Sequence, residues 1–250
     1  MKKLLIRADD LGYTKGINSG IAKAANDGLV RNIGIMINMP YVSHGLSLLQ
    51  KKEELNLGLH VNLSNGYPIS NVARIPSLVD GKKFKSSSVY RQKDHDFVIV
   101  DEAMTEVEKQ VERFIDIVGR QPDYIDFHAV SSEHANRAIK IVSEILNLKF
   151  SEVSFDPKHA ILVGKTLTYI VLDCNNLDYD PFKTIEKTVA TLPEDKVAIL
   201  PFHPGYIDSE LLSVSSLTTA REKDLSMLCG KKVKQWLDKN DVTLLNYRDL

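Results

Sequence analysis

Lys3-Leu4-Leu5-Ile6-Arg7-Ala8-Asp9-Asp10 is a short apolar run that ends on two acids. Three later segments share its form: Leu57-Gly58-Leu59-His60, Tyr124-Ile125-Asp126-Phe127-His128 and Ala198-Ile199-Leu200-Pro201-Phe202-His203. Each apolar run reads as a buried strand. Each polar end then faces the mouth of a parallel sheet or barrel, where such folds carry their chemistry. An aspartate pair and three histidines arriving at equivalent places point to a metal site.

Outward from these segments, strand-like and helix-like patterns alternate. Strands are predicted over 4–8, 32–38, 57–61, 123–128, 150–155, 166–172, 197–202 and 242–247. Helices are predicted over 16–28 with Gly28 as C-cap, 43–55 with Ser43 as N-cap, 101–118 between Asp101 and Gly119, 133–146, 182–192 and 217–237. This rhythm predicts an α/β protein, a TIM-like (β/α) barrel that is incomplete or distorted, with seven to eight parallel strands. One domain is expected over 1–250. Between 64 and 100 the pattern weakens around Gly66, Pro68, Pro76 and Gly81, and a long irregular insertion is expected there. Insertions of this length act more often as lids or binding elements than as spacers.

The bulk properties narrow the partners. Of 250 residues, 43% are hydrophobic and 26% charged, and 32 basic against 33 acidic side chains leave a net charge of −1. That balance gives no reason to expect nucleic acid or an anionic membrane as partner. Cys174 and Cys229 are far apart and outside any CxxC pattern, which argues against a disulfide framework and excludes a cysteine-ligated structural zinc. Leu4-Leu5-Ile6 is stopped by Arg7 and Asp9, too short for a signal peptide, and no run approaches the roughly 18 apolar residues of a membrane span. A cytoplasmic protein is the expectation.

Adjacent strand residues point to opposite sides, so Asp9 and Asp10 reach one mouth only if the backbone turns there, and Gly12 permits a tight bend. One aspartate then serves a metal and the other proton transfer; the alternative is a solvated loop whose acids cap the next helix. His60, His128 and His203, each taken alone, read as ordinary structural histidines. Asp126 shares a strand face with His128 and is predicted to orient it from behind. Together, one aspartate and two neutral imidazoles form a facial set for a divalent transition metal, with positions open for water and substrate. The remaining aspartate and histidine supply a base and an acid, as metal-assisted hydrolysis requires. GxSxG, P-loop, HExxH and EF-hand patterns are absent from the sequence, and no GxGxxG opens the first helix. A glycosidase would use two facing carboxylates without a metal, which the histidine-rich set disfavours.

The motifs resemble a known family. Ala8-Asp9-Asp10-Leu11-Gly12 with Gly16-Ile17-Asn18 is similar to the opening of the YdjC-like carbohydrate deacetylases, and Gly58-Leu59-His60-Val61-Asn62-Leu63 to their GLHxNL segment. The stretch from Pro76 to Phe84, the helix from Glu106 to Gly119, Pro122 to His128, His203-Pro204-Gly205 and Arg221 to Leu228 resemble further family segments in the same order. The resemblance implies an incomplete TIM-like barrel that hydrolyses N-acetyl groups of amino sugars, including chitooligosaccharides. It also implies a divalent metal, usually Mg²⁺, and a homodimer. Carried over by position, Asp10, His60 and His128 are metal ligands, Asp9 the general base and His203 the acid. Ligand chemistry alone favours Zn²⁺ or another transition metal over Mg²⁺.

One departure stands out. The family continues with further histidines after its D-x-H, whereas here Val130 and Ser132 occupy those places and His134 lies out of register. That departure motivates an alternative reading, a sugar-binding or regulatory protein with a degenerate site.

Overall fold

The structure is a computed structural model that describes residues 2–92 and 94–250. In chain order the elements are β1 (Lys2–Leu11), α1 (Lys15–Asn26), β2 (Asn32–Ile35), α2 (Val42–Leu48), β3 (Asn56–Val61), β4 (Val79–Asp80), β5 (Lys83–Phe84), α3 (Ser87–Gln92), α4 (Val100–Val118), β6 (Ile125–Phe127), α5 (Glu133–Ile145), β7 (Ile161–Val163), β8 (Thr166–Ile170), α6 (Pro181–Thr191), β9 (Val197–Phe202), α7 (Ser209–Val214), α8 (Thr219–Leu228), α9 (Lys231–Lys239) and β10 (Val242–Leu244). The main sheet runs β6-β3-β2-β1-β9-β8-β7, and β10 shares an edge of β1 with β2. It is an open, TIM-like half-barrel. All its pairings are parallel except β7 with β8, which form an antiparallel hairpin, a correction to the all-parallel expectation.

The strand predicted over 150–155 is reduced to a thread. Phe150 makes one isolated bridge to Ile125, and Ser154 accepts a bond from the Ile170 amide. A few hydrogen bonds therefore span the gap between β6 and β8 where a full strand would have closed the barrel.

Side-chain alternation sorts the strands into an outer and an inner face. Leu4, Ile6 and Ala8 of β1 pack in the large core beneath the helices, with Leu57 and Leu59 of β3 and Ala198, Leu200 and Phe202 of β9. Leu5 joins Val197, Ile199, Tyr124 and Tyr247 in a separate inner cluster. Tyr124 and Tyr247 stack there, with centroids 3.7 Å apart and planes 16° from parallel. Gly58 makes the stack possible, because a Cβ at that position would lie 2.2 Å from the Tyr124 ring.

The insertion is more ordered than its composition implies. It holds the β4–β5 hairpin and α3, and it is pinned to α4 by buried side chains. Glu106 accepts the amides of Ile69 and Ser70, while Gln110 bonds both the N–H and the C=O of Asn62. Helix boundaries differ from expectation where local chemistry intervenes. α1 ends at Asn26, two residues before Gly28, with Asp27 as its C-cap. α2 stops at Leu48, whose carbonyl accepts from Asn26, and its cap is Tyr41, without side-chain help from Ser43. α4 starts at Val100 without a side-chain cap, so Asp101 lies in its first turn. The single helix predicted over 217–237 is two, broken at Cys229-Gly230. Among the described residues, no helix is long and apolar enough to cross a membrane.

Gly58→Ala should force Tyr124 out of its stack, an overpacking cost of about 1–3 kcal/mol. Urea denaturation will show a lower midpoint for this variant than for the parent; an unchanged midpoint would mean that the inner layer repacks freely.

Candidate active site

The two aspartates share one mouth because β1 is bulged. Ala8 pairs with Ile33 and Leu11 with Ile35, so three steps on β1 face two on β2. The extra residue lies between them, and Asp10 itself takes the left-handed conformation, φ 79°. A bulge of this kind re-aims a side chain, and bulges recur beside active sites. The bend is thus made at Asp10, with Gly12 (φ 104°) completing it. Asp9, Asp10, His60, His128 and His203 all line one cavity of about 320 Å³ at the C-terminal ends of the strands.

Each aspartate has its own arginine. Arg7, two residues before Asp9 on the same strand face, pairs with Asp9 at 2.8 and 2.9 Å and with Asp126 at 2.7 Å. Its third nitrogen, Nη1, donates to Tyr247 Oη at 3.0 Å. Arg221 of α8 pairs with Asp10 Oδ2 at 2.7 Å and donates to the Leu217 carbonyl. Gly34 leaves room for this arrangement, since a Cβ there would meet Asp9 Oδ1 at 2.8 Å and His60 Cβ at 3.2 Å.

The histidines converge on the other oxygen of Asp10. Asp10 Oδ1 lies 2.9 Å from His128 Nδ1 and 3.5 Å from His60 Nε2. Asp10, His60 and His128 form one of the acid–histidine groups able to hold a metal ion among the described residues. Donors bound to one cation at about 2.1 Å stand roughly 3.0–3.4 Å apart, and the 2.9 and 3.5 Å seen here bracket that range closely. Asp10 Oδ1 is buried and accepts no hydrogen bond of good geometry among the described residues, as expected of an atom reserved for a cation. The residues present therefore fit a divalent metal. Asp126 stands behind His60, 3.0 Å from its Nδ1, and does not orient His128 as the shared strand face had predicted. The reason is register: His60 lies opposite Asp126 in the β3–β6 ladder.

A second group, Asp9, His60 and Asp126, also lies within ligating reach, but Arg7 occupies it as a fixed cation. Burial raises the proton affinity of Asp9 despite the arginine beside it. At Asp126 burial acts in the same sense, but Arg7 and His60 outweigh it and hold the carboxyl below its usual range. Burial likewise works against ionisation of Asp10, and His128 and Arg221 reverse it, leaving the carboxyl well below the usual value. Burial alone would lower His60, yet Asp126 and Asp9 bring it up to about 10. His203 goes the other way: burial pushes its imidazole down to about 3. Its backbone N–H donates to Asp224, whose carboxyl burial raises to about 7.

Arg7, Arg221, Asp224 and Tyr247 were not singled out as site residues from the sequence. Arg7 carried a signal: a cation inside an apolar strand, two residues from an acid, needs a buried partner. Tyr247 carried none, because it arrives from the chain's last turn. Val130 is buried against the core, and Ser132 caps α5 and bonds Asp96, so both positions serve the local fold.

A half-open (β/α) barrel with a carboxylate–imidazole cluster at the strand ends defines the class. Residues 3–239 match the family described as YdjC-like protein, and the chain belongs to that family. It is 30% identical to Carbohydrate deacetylase 2 of Listeria innocua, over 99% of this chain and 98% of the relative. It is 29% identical to Carbohydrate deacetylase of Thermoanaerobacter pseudethanolicus, over 99% and 98%. Among solved structures, a putative cellobiose-phosphate cleavage protein from Enterococcus faecalis superposes with a TM-score of 0.83 at 24% identity, covering 99% of this chain and 98% of that one. A family 4 carbohydrate esterase from Streptomyces lividans shares the fold more distantly, with a TM-score of 0.52 at 11% identity and coverages of 99% and 94%.

Neutral His203 makes the metal-free protein acid-sensitive. Its pKa falls from 6.5 in the unfolded chain to about 3 in the fold, so the unfolded state binds more protons between those values. The stability this group contributes is complete above pH about 6.5 and is lost as pH falls toward about 3. His203→Gln should narrow the difference between urea midpoints measured at pH 7 and pH 4; an identical difference in both proteins would contradict a buried neutral imidazole.

Proposed function

We propose that the protein is a metal-dependent carbohydrate N-deacetylase, acting on acetylated amino sugars or their oligosaccharides, chitooligosaccharides among them. The observation that carries this reading is the convergence of Asp10, His60 and His128 on one unsatisfied carboxylate oxygen, in a cavity that also receives Asp9 and His203. The names of the relatives supply the substrate class.

Asp10, His60 and His128 would hold the cation, which when bound supplies Lewis acidity for an amide carbonyl and for water. The mixed oxygen and nitrogen donor set suits Zn²⁺, Co²⁺, Ni²⁺ or Fe²⁺, while the family resemblance implies Mg²⁺. Metal analysis of protein purified without added metal decides between them.

The chain's own residues move the protons. Asp9 accepts a proton from the attacking water. Its raised proton affinity suits a base, and Arg7 holds its carboxylate in one orientation. His203, at the end of β9, serves the leaving amine. It is neutral at rest, so the proton it passes to nitrogen is one gained during turnover, ultimately from the water that Asp9 deprotonates. Acetate and a free amino sugar result, and the consumed water accounts for the oxygen and hydrogen added. Binding of the cation competes with the proton on His60, so loading at pH 7 releases about one proton.

Incubation with N,N′-diacetylchitobiose and related N-acetylated sugars should release acetate, and chelation should abolish that release until metal is returned. Asp9→Asn should lower turnover by at least about 100-fold, the scale of lost general-base catalysis, while the metal content stays near that of the parent. A metal-loaded protein that frees no acetate from any such sugar would instead fit a binding protein.

A further inference from the structure

His60 and His128 present different ring nitrogens to Asp10, and each needs a partner behind it. For His60 that partner is plain: Nδ1 faces the Asp126 carboxylate, which accepts its hydrogen, so in the neutral, ligating ring Nε2 is left free toward Asp10. For His128 the nitrogen facing Asp10 is Nδ1, and the one behind, Nε2, lies 3.0 Å from the side-chain amide of Asn65. A neutral imidazole that ligates through Nδ1 carries its hydrogen on Nε2 and requires an acceptor there.

The hydrogen-bond inventory around Asn65 shows which end of its amide supplies that acceptor. With Nδ2 toward His128, Oδ1 points at Tyr13 Oη, 3.3 Å away. Tyr13 Oη also lies 2.9 Å from the Val214 carbonyl. The phenol has one hydrogen and would face two acceptors, so one contact goes unmade. Turning the amide by 180° resolves every contact. Nδ2 then donates to Tyr13 Oη, whose hydrogen goes to Val214. Oδ1 then accepts from His128 Nε2–H and from the Ser64 hydroxyl, which lies 3.3 Å from the amide. Asn65 cannot drift from this position. Its backbone N–H donates to Asn62 Oδ1, its carbonyl accepts from Asn62 Nδ2, and Asn62 is itself clamped by Gln110 of α4.

We propose that Asn65 is the positioning residue of His128: its side-chain oxygen accepts the Nε2–H of that ring and thereby directs Nδ1 to the cation. Tyr13 acts as the switch-free anchor of the amide's other end. This rests on the metal assignment made above, and its test reads the metal rather than turnover.

Zn²⁺ and Co²⁺ affinities of the full-length protein are measured by competition with a chelating indicator, with thermal melts of the metal-free forms as a folding control. Asn65→Leu, which leaves Nε2–H without an acceptor, should weaken both metals by about 10–100-fold, the usual effect of losing such a partner. Asn65→Asp keeps an acceptor at the same place and should bind at least as tightly as the parent. In the Zn²⁺-loaded parent, the ¹⁵N signals of His128 should show the hydrogen on Nε2. Equal affinities for parent and Asn65→Leu, equal weakening in both variants, or a hydrogen on Nδ1 would each overturn the proposal. A parent that binds neither metal would overturn the metal assignment itself, and this proposal with it.

Discussion

The bulge at Asp9-Asp10 is the constraint on which the site depends. A regular strand would send one of these carboxylates into the cavity and the other toward the helical layer. The extra residue on β1, with Asp10 at φ 79°, turns both inward. A non-glycine residue in that conformation costs roughly 1–2 kcal/mol, and the ion pair with Arg221 holds the Asp10 side chain in place there. That arginine comes from α8, far along the chain, so the bend in the first strand is locked by the last third of the molecule.

Charge accounting explains how three buried acids share one site. Asp9, Asp10 and Asp126 are all buried, and buried carboxylates need compensating charge. Arg7 and Arg221 supply two positive charges. The third comes from a proton on His60, whose pKa is raised to about 10.

The same inner face ties catalysis to folding. Leu5, Arg7 and Asp9 follow one another along β1, from apolar floor to charged layer. Tyr247 bridges the two levels, stacking on Tyr124 below while its hydroxyl receives Arg7 and donates to Ser151. The insertion contributes in turn through Asn65, because Glu106 anchors it to α4 and Gln110 fixes Asn62 at its root instead of leaving it as a loose loop.

Much of this was legible in the chain. Short apolar runs marked β1, β3, β6 and β9, and the polar residues closing them, Asp9, Asp10, His60, His128 and His203, do line one cavity. Those features are local, and strand alternation decides the side of the three histidines, though not that of the bulged Asp9-Asp10 pair. The order in the insertion, the reduction of 150–155 to a single bridge and the break at Gly230 depend on distant partners that spacing does not reveal. The sequence by itself determined the barrel rhythm and the residues offered at its mouth. Tertiary structure decided the rest: the bulge that brings both aspartates inward, the pairing of Asp126 with His60 rather than His128, and the neutral state of His203. Register and burial set these, and both are properties of strands packed together, not of any strand alone.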